Sequence, residues 1–196
     1  MPLQLAEGRR YTQSGLTMTA LEQLRDSIPD YARDLKLNLG SVLTVQGAPG
    51  LTAKQIWGTA LATAIASRHL PLVQAIETAA CVELDEVGIN GAKAAAAIMW
   101  MNNVYYRFLH FVGDAEYQSM PARLRMNIIA NPGIDKLDFE LYSLAVSAAN
   151  GCGLCVESHE KLLRKHDIGR ETIQSTVRIA AVIHALACIL EHGQSV

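Results

Sequence analysis

"KLDFELYSLAVSAANGCGLCVESHEKLLRK", residues 136–165, reads as two helical runs parted by one glycine. Lys136 to Asn150 is helical in pattern, Gly151 ends it, and Cys152 to Lys165 starts the next run. A glycine supplies the left-handed backbone that commonly closes a helix. The stretch therefore predicts an antiparallel helical hairpin, with Cys152, Cys155 and His159 at the head of its second arm.

Outward from this hairpin the chain keeps the same character. Thr19 to Ser27 and Tyr31 to Val42 read as helices separated at Pro29, and 47–50 (Gly-Ala-Pro-Gly) is a turn. Thr52 caps a helix running to about Arg68, with Gln55 in the reciprocal capping position. Further helices are expected from Pro71 to Val82, from Gly91 to about Val112, and from Glu171 to Glu191. Asn131-Pro132-Gly133 is a break and Gly169 a separator. Alternating strand patterns are scarce, so the fold class is all-α. Residues 1–17 lack periodicity and read as a loose leader before one all-α domain over 18–196. Gln55-Ile-Trp-Gly-Thr-Ala-Leu lies over Glu140-Leu-Tyr-Ser-Leu-Ala-Val at an offset of 85 residues (140 minus 55), a possible internal duplication.

Composition narrows the function. The chain of 196 residues is 50% hydrophobic and 18% charged, enough to build a core and too ordered in composition for a disordered chain. A net charge of −2 leaves no electrostatic footprint for nucleic acid. The charge-free stretch from Leu141 to Val156 is shorter than the roughly 20 residues a membrane span needs. Arg9-Arg10 is followed by polar residues instead of the apolar core of an export signal. A soluble, cytoplasmic protein is the expectation. In such a reducing compartment a close cysteine pair reads as metal-binding or redox-active.

Three chemistries compete for the pair. A structural zinc site normally needs four ligands, whereas Cys81 and Cys188 stand alone and His166 and His184 follow no pairing pattern. Two inert core cysteines are the bland alternative. Redox chemistry fits the helix start, where unpaired N–H groups and the positive end of the dipole favour a thiolate. His159 follows Cys155 by four residues and so shares its helical face, where an imidazole can take the thiol proton. A free thiol titrates at ~8.5, and such neighbours lower it. This periodicity points to Cys155 as the attacking sulfur and leaves Cys152 to close the disulfide. At ~1.5 Å rise per residue, Glu140 lies roughly 6 Å along the axis beyond the level of His159, close enough to act through water. Glu157 and Glu160 point to other faces and are expected in solvent. Trp57, Trp100, Met99 and Met101 read as core or subunit interface, His184 as a hydrogen-bonded core residue, and Arg123 and Arg125 as surface.

The pattern Glu-x11-Cys-x2-Cys-x3-His, from Glu140 to His159, resembles the alkylhydroperoxidase D family within the carboxymuconolactone decarboxylase-like superfamily. "IPDYARDLKLNLGSV", "QIWGTALATA", "AAAAIMWMNNVYYR" and "LRMNIIANPGIDKLDFELYSLAVSAANGC" resemble it too, over nearly everything from Met18 to the last helix. The resemblance implies an all-α fold, commonly a homotrimer. It implies a weak peroxidase, acting on organic hydroperoxide or hydrogen peroxide, that also re-reduces a partner peroxiredoxin. Electrons would come from the dihydrolipoyl group of an acyltransferase component. No metal, flavin or nicotinamide motif appears in the sequence, so no bound cofactor is expected. The resemblance gives the sulfenic acid to Cys155, the resolving thiol to Cys152, and the proton relay to Glu140 and His159. Some relatives carry histidine where this chain has Leu154, which touches peroxidase rate more than disulfide exchange. Two alternatives stand beside this reading: a carboxymuconolactone-type decarboxylase, and a non-catalytic disulfide-relay adapter.

Overall fold

The computed structural model describes residues 18–193; the expected leader, 1–17, and the last three residues lie outside the described residues. Every described element is helical. Helix α1 (Ala20–Asp26) starts at a complete capping box between Thr19 and Glu22, and Ile28-Pro29 separates it from the next helical segment. The run expected from Tyr31 splits into a 3₁₀ turn, Asp30–Ala32, and α2 (Arg33–Val42).

Two matched hairpins form the body. Helix α3 (Ala53–Ser67), boxed by Thr52 and Gln55, turns at Arg68 into α4 (Leu70–Ala80), and α5 (Glu86–Val112) comes after it. After two short helices, α6 (Ala115–Ser119) and α7 (Asn127–Ala130), the order repeats. Helix α8 (Lys136–Ala149) turns at Gly151 into α9 (Gly153–Lys165), and the long α10 (Arg170–Gly193) completes the set. Helices α3 and α8 pack on each other, and each also packs on both α5 and α10. The aligned segments found in sequence thus occupy equivalent helices, and the offset carries Ala80 onto Lys165, the last residues of α4 and α9.

Composition explains who sits in the centre. Helix α3 is rich in alanine and buries Ala60, Ala62, Ala64 and Ala66 along with Leu61, so neighbours approach it on all sides. Gly58 faces the Tyr142 ring so closely that a Cβ would collide with it. One cluster of buried apolar side chains runs from Ile28 to Leu190. By length and composition, Arg170–His192 could cross a membrane (mean hydropathy 1.7), although 56% of its apolar window is buried inside the fold. It packs on α2, α3 and α8 as a core helix.

Several expectations are corrected. Helix α5 begins at Glu86 and not at Gly91, because the Asp85 carboxylate accepts the Gly88 N–H and caps it. Glycine at 91 then lies inside the helix, where Ile134 occupies the space a side chain would need. His184 is exposed and hydrogen-bonded to Ser67 at 3.0 Å, so it is no core residue. Of the residues expected in the core or at a subunit interface, Met99 is buried and Trp100 is 40% exposed.

Candidate active site

The α8–α9 turn places the cysteines. Gly151 adopts φ +68°, and the Cys152 N–H returns to the Ser147 carbonyl at 3.0 Å, which closes α8. Cys152 is then the N-cap of α9, with no side chain capping the helix, and Cys155 lies in its first turn. Their Cα atoms are 5.3 Å apart and the two sulfurs form a disulfide. Both are buried, Cys152 completely. Both sulfurs therefore lie at the positive end of α9, where a thiolate is favoured once the bond is reduced. Cys81 and Cys188 are exposed thiols.

A polar clamp from α5 holds this turn. Asn103 donates to the Ser147 hydroxyl at 2.9 Å and accepts from the Asn150 amide at 2.9 Å. Arg107 donates to the Asn150 carbonyl at 2.7 Å. Three hydrogen bonds thus tie Ser147 and Asn150 to the long helix, with Asn103 and Ser147 buried.

One turn down α9, His159 meets its carboxylate. Nδ1 lies 2.6 Å from Glu140 Oε2, and the two side chains are only 13% and 11% exposed. The contact is direct, not bridged by water as the axial estimate suggested, because the combined reach of the two side chains spans the offset between the backbones. Nε2 faces the Met99 sulfur at 3.3 Å. A carboxylate only accepts, so Nδ1 donates to Glu140, and the histidine is fixed with Nε2 turned inward. Glu157 lies outside this set: it is exposed and pairs with Lys161 at 2.6 Å, which holds its carboxyl below the usual range.

Glu140, Cys155 and His159 line one cavity of about 400 Å³. Its other walls come from α5 (Met99, Asn102, Tyr106), from Met126 and Ile129 around α7, and from Leu154, Ser158 and Leu162 of α9. Leu154 is thus part of the cavity wall and makes it more apolar. Of the four residues the sequence pattern singled out, Glu140, Cys155 and His159 line this cavity and Cys152 does not, and the pattern gave no place to the α5 wall. The signal was present: Asn102-Asn103 interrupts an apolar helix, where a polar pair needs a reason. Among the described residues no group of three His, Cys, Asp or Glu side chains is arranged to hold a metal ion.

The comparisons with known proteins agree with this architecture at two levels. The sequence profile of the carboxymuconolactone decarboxylase family matches residues 115–190, which contain the α8–α9 hairpin. At full length the likeness is to proteins named alkyl hydroperoxide reductase AhpD. That of Rhodospirillum centenum is 53% identical over 172 residues, 88% of this chain and 91% of the relative. That of Coxiella burnetii is 56% identical over 167 residues, 85% and 94%, and that of Streptomyces coelicolor 53% over 172 residues, 88% and 95%. The chain belongs to the alkyl hydroperoxide reductase AhpD family.

Proposed function

We propose that this chain is a dithiol hydroperoxide reductase in which Cys155 is the peroxide-reactive sulfur and Cys152 the resolving one. The observation that carries the reading is the shared cavity: Cys155 and the His159–Glu140 pair open on the same space. The thiolate of Cys155 attacks the terminal oxygen of ROOH, the O–O bond breaks, and RO⁻ leaves. The leaving oxygen takes a proton from the relay, giving ROH, and Cys155 becomes a sulfenic acid. Cys152 thiolate attacks that sulfur, releasing water after protonation and forming the disulfide that the structure contains.

A dihydrolipoyl group on an acyltransferase component then reduces the disulfide by two thiol exchanges, becoming lipoyl itself, and a partner peroxiredoxin is the second acceptor of the electrons. The cycle needs no bound cofactor, since sulfur carries both electrons. Leu154 in the cavity wall supports a second reading, in which the pair relays electrons to the peroxiredoxin with little peroxidase activity of its own. Steady-state turnover with cumene hydroperoxide and dihydrolipoamide, with and without a peroxiredoxin, separates the two. Turnover without peroxiredoxin supports the first, turnover only with it supports the second, and none in either case refutes both.

The proposed assembly is a homo-oligomer, a trimer by family resemblance. Trp100, Val104, Phe108 and Phe111 stand exposed along α5, an apolar stripe at helical spacing that suits a subunit contact. A single species of 21.3 kDa in light scattering would contradict it.

A further inference from the structure

Two adjacent asparagines on α5 have opposite circumstances. Asn103 uses both ends of its carboxamide, donating to Ser147 and accepting from Asn150. Asn102 is just as enclosed, 4% exposed, yet its carboxamide oxygen is buried with no hydrogen-bond partner. Buried polar atoms are nearly always paired, because an unpaired one loses its hydration without replacement. Asn102 is also part of the wall of the cavity that holds Cys155 and His159. A carboxamide oxygen without a partner, on a residue in the wall of a mostly apolar cavity, leaves a polar group for a ligand to satisfy.

We propose that the Asn102 carboxamide binds the hydroperoxide group and sets its direction relative to Cys155, a role that rests on the peroxidase reading above. The chemistry is complementary. A hydroperoxide has a donor, its terminal O–H, next to an acceptor, its inner oxygen. A carboxamide has an acceptor, C=O, next to a donor, N–H. Paired side by side, Oδ1 accepts from the terminal O–H while Nδ2 donates to the inner oxygen. The terminal oxygen is the one that the Cys155 thiolate attacks. The inner oxygen is the one that leaves as RO⁻, so the Nδ2 hydrogen bond strengthens as negative charge develops there. A proton from His159 completes ROH, and Cys155 keeps the terminal oxygen as S–OH. The substituent R would lie against Met126, Ile129, Leu154 and Leu162, which fits an apolar organic hydroperoxide better than a charged one.

The test uses Asn102→Leu, which keeps the branched side-chain shape and heavy-atom count and removes both polar atoms. Pre-reduced full-length wild-type and variant proteins are each reacted with cumene hydroperoxide under single-turnover conditions, and separately with iodoacetamide across pH. The expected result is a peroxide rate constant lowered about tenfold or more, with an unchanged iodoacetamide profile and a melting temperature equal to or above wild type. That combination leaves thiolate and fold intact and isolates the orientation of the peroxide. A variant with the wild-type peroxide rate overturns the proposal. So does a variant in which peroxide and iodoacetamide rates fall together, since that is general damage to the site. A wild-type protein that fails to react with peroxide at all refutes the peroxidase reading itself, a different outcome from either.

Discussion

His159 Nδ1 lies 2.6 Å from Glu140 Oε2, across the gap between the two arms of the cysteine-bearing hairpin. An acceptor-only group faces Nδ1, so the exchangeable function of the ring falls to Nε2. Nε2 meets only the Met99 thioether at 3.3 Å, a weak partner that a thiolate or a leaving oxygen displaces at little cost. On the proposed mechanism the carboxylate would act one step removed from sulfur, through the histidine.

That order of contacts ranks two substitutions. His159→Ala should move the pH at which Cys155 is alkylated upward, towards the ~8.5 of a free thiol. Glu140→Gln should move it in the same direction by less, because the imidazole stays in place. Iodoacetamide kinetics across pH on the reduced proteins measure both. A larger displacement for Glu140→Gln than for His159→Ala would show that the carboxylate acts on sulfur directly.

Asp138, in the first turn of α8, gives a pH prediction. Burial raises its carboxyl above the ordinary range, against the hydrogen bond that Gln55 donates at 2.7 Å. With the folded value above the unfolded one, the folded chain binds more protons between the two. Stability therefore falls as pH rises through that window. Asp138→Asn keeps an acceptor for Gln55 and removes the ionisation, so that part of the slope should vanish. The group is about half buried, which limits the gain at neutral pH to below about 1 kcal/mol. Urea unfolding at about pH 4 and about pH 7 checks it; a variant less stable than wild type at the higher pH would contradict the sign.

Gly58 tests the packing of α3 against α8. Alanine in a helix is favoured over glycine by about 1 kcal/mol, but a methyl here would strike the buried Tyr142 ring. Overpacking of this kind costs about 1–3 kcal/mol, so the collision should win and Gly58→Ala should melt lower than wild type. Thermal unfolding decides it. A melting temperature at or above wild type would mean that the ring moves aside freely.

The hairpin was legible because its signals are local. One glycine closes α8, and the i, i+4 spacing brings Cys155 and His159 to one face. The capping box at Thr52 located α3 for the same reason. What escaped depends on distant partners. The start of α5 was hidden because Gly88 and Gly91 look like breakers until Asp85 and Ile134 are placed around them. The directness of the Glu140–His159 contact depends on side-chain reach between helices, which residue spacing does not contain. The roles of Met99, Asn102 and Asn103 depend on which side of α5 meets the hairpin. His184 misled because an apolar helix exposes one face, and that face carries it.

The central claim is the division of labour between the two sulfurs, with Cys155 attacking and Cys152 resolving. It is tested most directly by mixing reduced Cys152→Ser and reduced Cys155→Ser proteins with peroxide and trapping sulfenic acid with dimedone. Cys152→Ser should consume about one equivalent and label at Cys155, then stop, because no resolving thiol remains. Cys155→Ser should give no label at Cys152. Labelling of Cys152 in the Cys155→Ser protein, at the rate seen for Cys155 in the other variant, would reverse the assignment.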